Sequence, residues 1–292
     1  MSRVPRPPAT EADGPVAAGG SPTSRPGALR AAVPGVTGWL AVLAAAVGVL
    51  AQVAYPLLDG EPLRWATIGS VLALAVAAVL HAVSVRGAAW GLAAFATVGV
   101  LGWLAEAVGV ATGLPFGDYA YADSLGPKVA GVPVLVPLAW FMLGYPAYLA
   151  GQALGGRRWG WVVGAWTLAA WDLFLDPQMV GAGHWTWADP VPALPGVPGI
   201  PLSNYAGWLL TAMVMMASLS ALSRTCRVDL EPAPGRLPHD LLPALVLAWT
   251  YLSQIMANLV FFGRPAVAVW GGLAMGLTVL PYLRLLRADR RS

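Results

Sequence analysis

Stretches of about twenty apolar residues recur along nearly the whole chain, and this recurrence constrains the fold more than any other feature. A helix rising 1.5 Å per residue needs about 20 such residues to cross the hydrocarbon core of a bilayer. The runs fall at about 36–58, 64–84, 88–112, 132–154, 158–176, 203–223, 241–262 and 265–286. Pro56, Pro62, Gly87, Pro127, Gly155–Gly156, Pro238 and Pro265 punctuate the joints between them. Only 11% of the 292 residues are charged and 58% are hydrophobic, whereas a water-soluble domain carries about 25% charged residues. That much apolar surface calls for lipid as solvent. The expected fold is all-α: a polytopic transmembrane helical bundle of about eight spans over residues 34–292. Residues 1–33, rich in Pro, Gly, Ala and Ser with scattered Arg, are expected to form a disordered cytoplasmic tail.

Orientation follows from the basic residues. Fourteen lie before the first run, in alternate loops or after the last run. Only three, Arg64, Lys128 and Arg264, lie on the other side. By the positive-inside rule both termini are cytoplasmic in a multi-pass cell-membrane protein, which requires an even number of spans. The net charge of +3 comes largely from terminal arginines and gives no sign of a nucleic-acid surface. The single cysteine, Cys226, rules out an intramolecular disulfide and a thiolate metal cluster. No glycine fingerprint for a dinucleotide is present, and neither a metal nor another cofactor is expected.

Two segments repeat at a spacing of 66 residues. Glu106, Gly117 and Tyr119-Ala120-Tyr121-Ala122-Asp123 match Asp172, Gly183 and Trp185-Thr186-Trp187-Ala188-Asp189. With one residue of slip, Gly131-Val132-Pro133 matches Gly196-Val197-Pro198. The implied unit is an outward helix, a loop and a returning helix, repeated in parallel as helices 3–4 and 5–6. The period-2 aromatics suggest short extended segments that cap a shared pocket; an interfacial aromatic belt explains the same residues.

Ionisable side chains within apolar spans are costly, about 2.5–3.5 kcal/mol near the bilayer centre, and therefore suspect as functional groups. Glu106 and Asp172 lie late in their outward helices. Asp176 follows Asp172 by one turn on the same face, although it can also end the helix before Pro177. Small residues on the same faces, Gly99 and Gly102 in one helix and Ala165 and Ala169 in the other, permit close approach and would let Glu106 and Asp172 meet. Asn204, Tyr205, Gln254 and Asn258 also fall toward the outer side, the last two serving equally well as interhelical hydrogen bonds. Asp118, Asp123 and Asp189 read most simply as solvated loop residues and His184 as an interfacial side chain, with Asp118 kept as a catalytic candidate.

The runs Gly102-Trp103-Leu104-Ala105-Glu106, Leu114 to Tyr121, Pro137-Leu138-Ala139-Trp140, Trp171 to Pro177 and Pro198 to Trp208 resemble the carotenoid 1,2-hydratase family, of the bisanhydrobacterioruberin hydratase type. The resemblance covers about residues 99–210. It implies a carotenoid-biosynthesis hydro-lyase that adds water across the terminal C1=C2 bond of an acyclic carotenoid; separately, the richness in Ala, Gly, Pro and Arg with Lys128 the sole lysine suggests a GC-rich bacterial genome. The substrate would be an isoprenoid lipid met in the membrane, and association with other carotenoid-biosynthesis enzymes is an expectation of the same kind.

That chemistry needs a carboxylic acid to protonate C2, a group to deprotonate water attacking C1, and aromatic faces to stabilise the cation. The catalytic candidates are Glu106, Asp172, Asp176 and Asp118, with Glu106 and Asp172 as the expected acid pair. Tyr119, Tyr121, Trp185, Trp187, Asn204, Tyr205, Trp208, Gln254 and Asn258 are the substrate-binding candidates. A carotenoid cyclase, another isoprenoid-modifying membrane enzyme, and a non-catalytic lipid-binding or transport protein remain alternatives. A prenyltransferase would need Asp-rich motifs for Mg²⁺ and diphosphate, for which Asp172-x-x-x-Asp176 is a weak candidate; its extracytoplasmic place with almost no basic residue nearby argues against a cytosolic diphosphate substrate.

Overall fold

A computed structural model describes residues 1–2, 35–228 and 237–289. Its contacts separate Met1–Ala32 from Val33–Ser292, and the second unit is the subject below. The tail expected over residues 1–33 lies almost wholly outside the described residues.

The chain is a helical membrane bundle. Among the described residues the helices are α1 (Val36–Ala54), α2 (Gly60–Arg86), α3 (Ala88–Thr112), α4 (Val136–Gly181), α5 (Leu202–Thr225), α6 (Leu241–Val260) and α7 (Pro265–Asp289). All but α4 are long and apolar enough to cross a bilayer. Leu43, Val47 and Leu50 of α1 stay exposed at helical spacing, as do Leu245, Leu252 and Leu259 of α6 and Leu273, Leu277 and Leu280 of α7. Such outward apolar stripes suit lipid, where association relies on close packing rather than on hydrophobic burial. Ala41, Ala45 and Gly48 on the opposite face of α1 are buried. A Cβ on Gly48 would lie 2.7 Å from Leu74 Cγ of α2.

Helix α4 departs from the expected pattern of separate runs. Its 46 residues would extend about 69 Å if straight, over twice the hydrocarbon thickness. Gly156 breaks it with φ 55° and ψ −158°, a conformation that suits glycine because no Cβ opposes it. The arms 136–155 and 157–181 double back on each other. Glycine makes this contact close: a Cβ on Gly151 would sit 2.2 Å from Gly160 O and 2.5 Å from Gly164 N. The apolar runs expected at 132–154 and 158–176 are these two arms, joined by a one-residue reversal instead of a loop.

Six short strands lie in the segments joining α3 to α4 and α4 to α5. They are β1 (Tyr119–Tyr121), β2 (Lys128–Val129), β3 (Val132–Pro133), β4 (Trp185–Trp187), β5 (Ala193–Leu194) and β6 (Val197–Pro201). β1 and β4 pair antiparallel with Tyr119 opposite Trp187, Ala120 opposite Thr186 and Tyr121 opposite Trp185. This register is symmetric about Ala120 and Thr186, which themselves stand 66 apart. The flanking bonds keep that symmetry: Ala122 N donates to His184 O and Ala188 N to Asp118 O, both at 2.8 Å. Hairpins β2–β3 and β5–β6 follow the spacing with the one-residue slip, turning at Gly131 (φ 81°) and Gly196 (φ 75°).

Candidate functional site

Three carboxylic side chains are buried where α3, the second arm of α4 and the start of α5 meet. Glu106 is 4% exposed, Asp172 0% and Asp176 2%. Burial of this depth makes their hydrogen-bond partners decisive.

Glu106 is met from two directions. Tyr119 and Tyr121 alternate along β1, so period-2 geometry sends both phenols to one side. Both donate to Glu106 Oε2, Tyr121 at 2.8 Å. The indole of Trp140, from the first arm of α4, donates to Oε1 at 3.2 Å. Two glycines on the helical face of Glu106 make room. A Cβ on Gly102 would lie 2.8 Å from Trp140 Cδ1, and one on Gly109 would lie 2.8 Å from the Tyr119 hydroxyl. Burial, with the Glu106 charge beside them, raises both phenols well above the ordinary tyrosine range, so they remain O–H donors. Lys128 Nζ anchors β1 by donating to Tyr121 O at 2.7 Å.

Asp172 and Asp176 share one helical face and one amide. Asn204, in the first turn of α5, gives one N–H to Asp172 Oδ2 at 2.9 Å and the other to Asp176 Oδ2. Trp185 Nε1 donates to Asp176 Oδ1 at 3.1 Å. Asp172 Oδ1 is buried without a partner among the described residues. The helix runs on through Pro177 to Gly181, so Asp176 is a side chain within α4 rather than its terminator.

Glu106 and Asp176 line one cavity of about 60 Å³, room for a small group or a few waters. Its walls include Trp140, Trp171, Trp185, Trp208, Tyr119 and Tyr121. Trp140 and Trp208 stack with ring centres 3.8 Å apart, and Trp171 meets Trp208 edge-on at 6.0 Å. Asp172 stands behind Asp176, and no hydrogen bond joins Asp172 to Glu106 among the described residues. Asp172 instead shares the amide of Asn204 with Asp176, one turn along the helix.

The remaining candidates divide. Trp187 lines the cavity, stacks on Tyr119 at 5.6 Å and donates to Phe116 O at 2.9 Å. Tyr205 has its hydroxyl buried without a partner among the described residues and is not among the lining residues. Gln254 donates to Gln178 at 3.0 Å and Asn258 to Gln254 O at 2.9 Å; both lie away from the carboxyl groups. Asp118 is exposed and offers only its backbone carbonyl to Ala188. Asp123 and Asp189 are exposed as well. His184 is buried, with Nδ1 2.7 Å from Ser124 Oγ. Trp140 and Trp171 were not singled out for the site from sequence, although both lie in the quoted runs. Nothing in a lone indole reveals that the Trp140 N–H faces a carboxylate on the preceding helix.

The family described as carotenoid biosynthesis protein matches residues 66–277. The chain belongs to this family. The match takes in every site element above. The chain is also 32% identical over 170 residues to bisanhydrobacterioruberin hydratase of Haloarcula japonica, covering 56% of each protein. It therefore spans little more than half the length of that curated relative. No solved structure matches it.

Proposed function

We propose that this family member hydrates the terminal C1=C2 double bond of an acyclic carotenoid by acid catalysis. The observation that carries the reading is the pair of differently partnered carboxyl groups, Glu106 and Asp176, facing one aromatic cavity. Asp176 acts as the carboxylic acid, with Asp172 and Asn204 behind it as positioning residues. Its proton passes to C2, the C2–H bond forms, and the positive charge falls on tertiary C1. Water attacks C1 and gives its proton to Glu106, whose three donors complement a carboxylate. Transfer of that proton back to Asp176 completes the cycle, so the net change is addition of one water. The indole and phenol faces stabilise the cation electrostatically. The name of the Haloarcula relative supports hydration, and the absence of charged residues other than carboxylates from the cavity lining suits a hydrocarbon end.

With the two arms of α4 counted beside the six apolar helices, the described residues hold eight helical segments, in keeping with eight spans and both termini cytoplasmic. A reporter fused after Ser292 should be cytoplasmic and one inserted near Gly126 extracytoplasmic; both on one side would refute the topology. The symmetric register of β1 and β4 likewise supports a parallel 66-residue repeat. Association with other carotenoid-modifying enzymes is part of the same proposal.

Expression in a lycopene-accumulating host tests the activity. Pigments heavier by one water per modified end are expected. An isomer of unchanged mass would mark a cyclase, and unaltered lycopene a binding or transport protein.

A further inference from the structure

A second, larger cavity of about 340 Å³ adjoins the acid cavity. The two share Thr67, Val71, Met142, Trp171, Leu175 and Met179 as lining residues, so a common wall of side chains is all that separates them. The far side of the larger cavity is formed by α1, the segment following it, and α6. There Val53, Leu57, Met256 and Phe261 line the cavity and are also exposed on the surface of the bundle. A wall made of lipid-facing side chains is an opening towards lipid.

The chemistry of the lining restricts the occupant. Among the described residues no Asp, Glu, Lys, Arg or His lines this cavity, so a diphosphate or a carboxylate would enter without a counter-ion, at a high desolvation cost. The polar groups are neutral and largely occupied with protein partners. Trp249 Nε1 donates to Gln52 Oε1 at 2.8 Å, and Gln254 Nε2 to Gln178 Oε1 at 3.0 Å. Gln254 Oε1 is left buried without a partner among the described residues, an acceptor for one water or hydroxyl. The rest of the lining is mainly aliphatic and aromatic.

We infer that this cavity is the docking vestibule for an uncharged acyclic isoprenoid chain, entered from the bilayer between α1 and α6. The chain's end reaches Glu106 and Asp176 past Met142, Trp171, Leu175 and Met179. The inference rests on the proposed hydration for the identity of the chain, but its geometry is independent of which reaction follows.

Filling the vestibule tests it. Ala257 of α6 lines the larger cavity only, whereas Leu252 of the same helix faces outward and lines neither. Wild type, Ala257→Trp, the milder Ser253→Leu, Leu252→Trp and Glu106→Gln are purified from lycopene-accumulating cells. Bound pigment per protein is read by absorbance and products by mass. Ala257→Trp should lose about tenfold in bound pigment, equivalent to about 1.4 kcal/mol of binding, and Ser253→Leu a smaller amount. Leu252→Trp should match wild type, and Glu106→Gln should hold pigment without converting it. Pigment retained at wild-type level by Ala257→Trp would overturn the inference; if that variant does not accumulate, Ser253→Leu decides in the same way. Ala257-dependent pigment binding without any hydrated product would refute the hydration reading and leave the vestibule standing. Normal hydration by Ala257→Trp would do the reverse.

Discussion

The two segments that stand 66 residues apart in the sequence present the same order of elements and differ in chemistry. In each, an aromatic-x-aromatic strand follows a helix bearing a buried acid, and β1 and β4 close on each other through equivalent bonds. Around Glu106 both strand aromatics are phenols and both reach the carboxylate. Around Asp172 the corresponding residues are indoles. Trp185 reaches past it to Asp176, and Trp187 turns to a backbone carbonyl. A symmetric frame thus holds one acid surrounded by donors and another doubled by a neighbour, a division suited to a proton acceptor and a proton donor.

The comparison breaks most decisively at the acids. Glu106→Gln and Asp176→Asn should each lower hydration about 10²–10⁴-fold, the usual loss for a general acid or base, measured as product per membrane protein. Equal, near-normal rates would remove the division of roles.

Asn204→Leu comes next, since it deprives both aspartates of their common donor. Hydrogen bonds to charged groups contribute about 1.5–3 kcal/mol, so a loss of about ten- to hundredfold is expected. Asp172→Asn should respond similarly, and if Asp172 positions Asp176 it should shift the pH profile as well as the rate.

Tyr121→Phe removes one of three donors to Glu106 and should cost about tenfold. The equivalent change in the other half, Trp187→Phe, should cost less because its N–H serves a backbone carbonyl. Equal losses would mean that the aromatics act through packing alone.

The smallest effects belong to the loops. Asp118→Asn should leave turnover unchanged within about twofold, as expected for a surface substitution. Burial pushes the His184 imidazole below its ordinary value, so the unfolded chain binds the extra proton more readily. Its contribution to stability is present above about pH 6.5 and is lost as pH falls below that. Thermal unfolding of His184→Gln should therefore depend less steeply on pH below about 6.5; an unchanged slope would contradict that environment.

Several of these features are legible from residue order alone. Apolar runs announce the helices because lipid leaves the backbone no other way to satisfy its polar groups. The period-2 alternation of Tyr119 with Tyr121 and of Trp185 with Trp187 also anticipates extended segments. The partner of Asp172 is not legible, because Asn204 lies 32 residues away and only the packing of α5 on α4 brings its amide between two carboxyl groups. Pro177 suggests a helix end, yet α4 continues past it because the helical path tolerates one missing N–H within a packed bundle. The burial of His184 is equally hidden, because its partner Ser124 lies 60 residues away in the chain. The reversal at Gly156 hides in an ordinary Gly-Gly pair.

The most direct test of the hydration chemistry is turnover of lycopene by the purified protein in deuterium oxide enriched in oxygen-18. Protonation at C2 followed by capture of water at C1 predicts a tertiary alcohol carrying oxygen-18 at C1 and one deuterium at C2, with both labels lost in Glu106→Gln and Asp176→Asn. Product without oxygen-18, or labelled product formed undiminished by both variants, would contradict it.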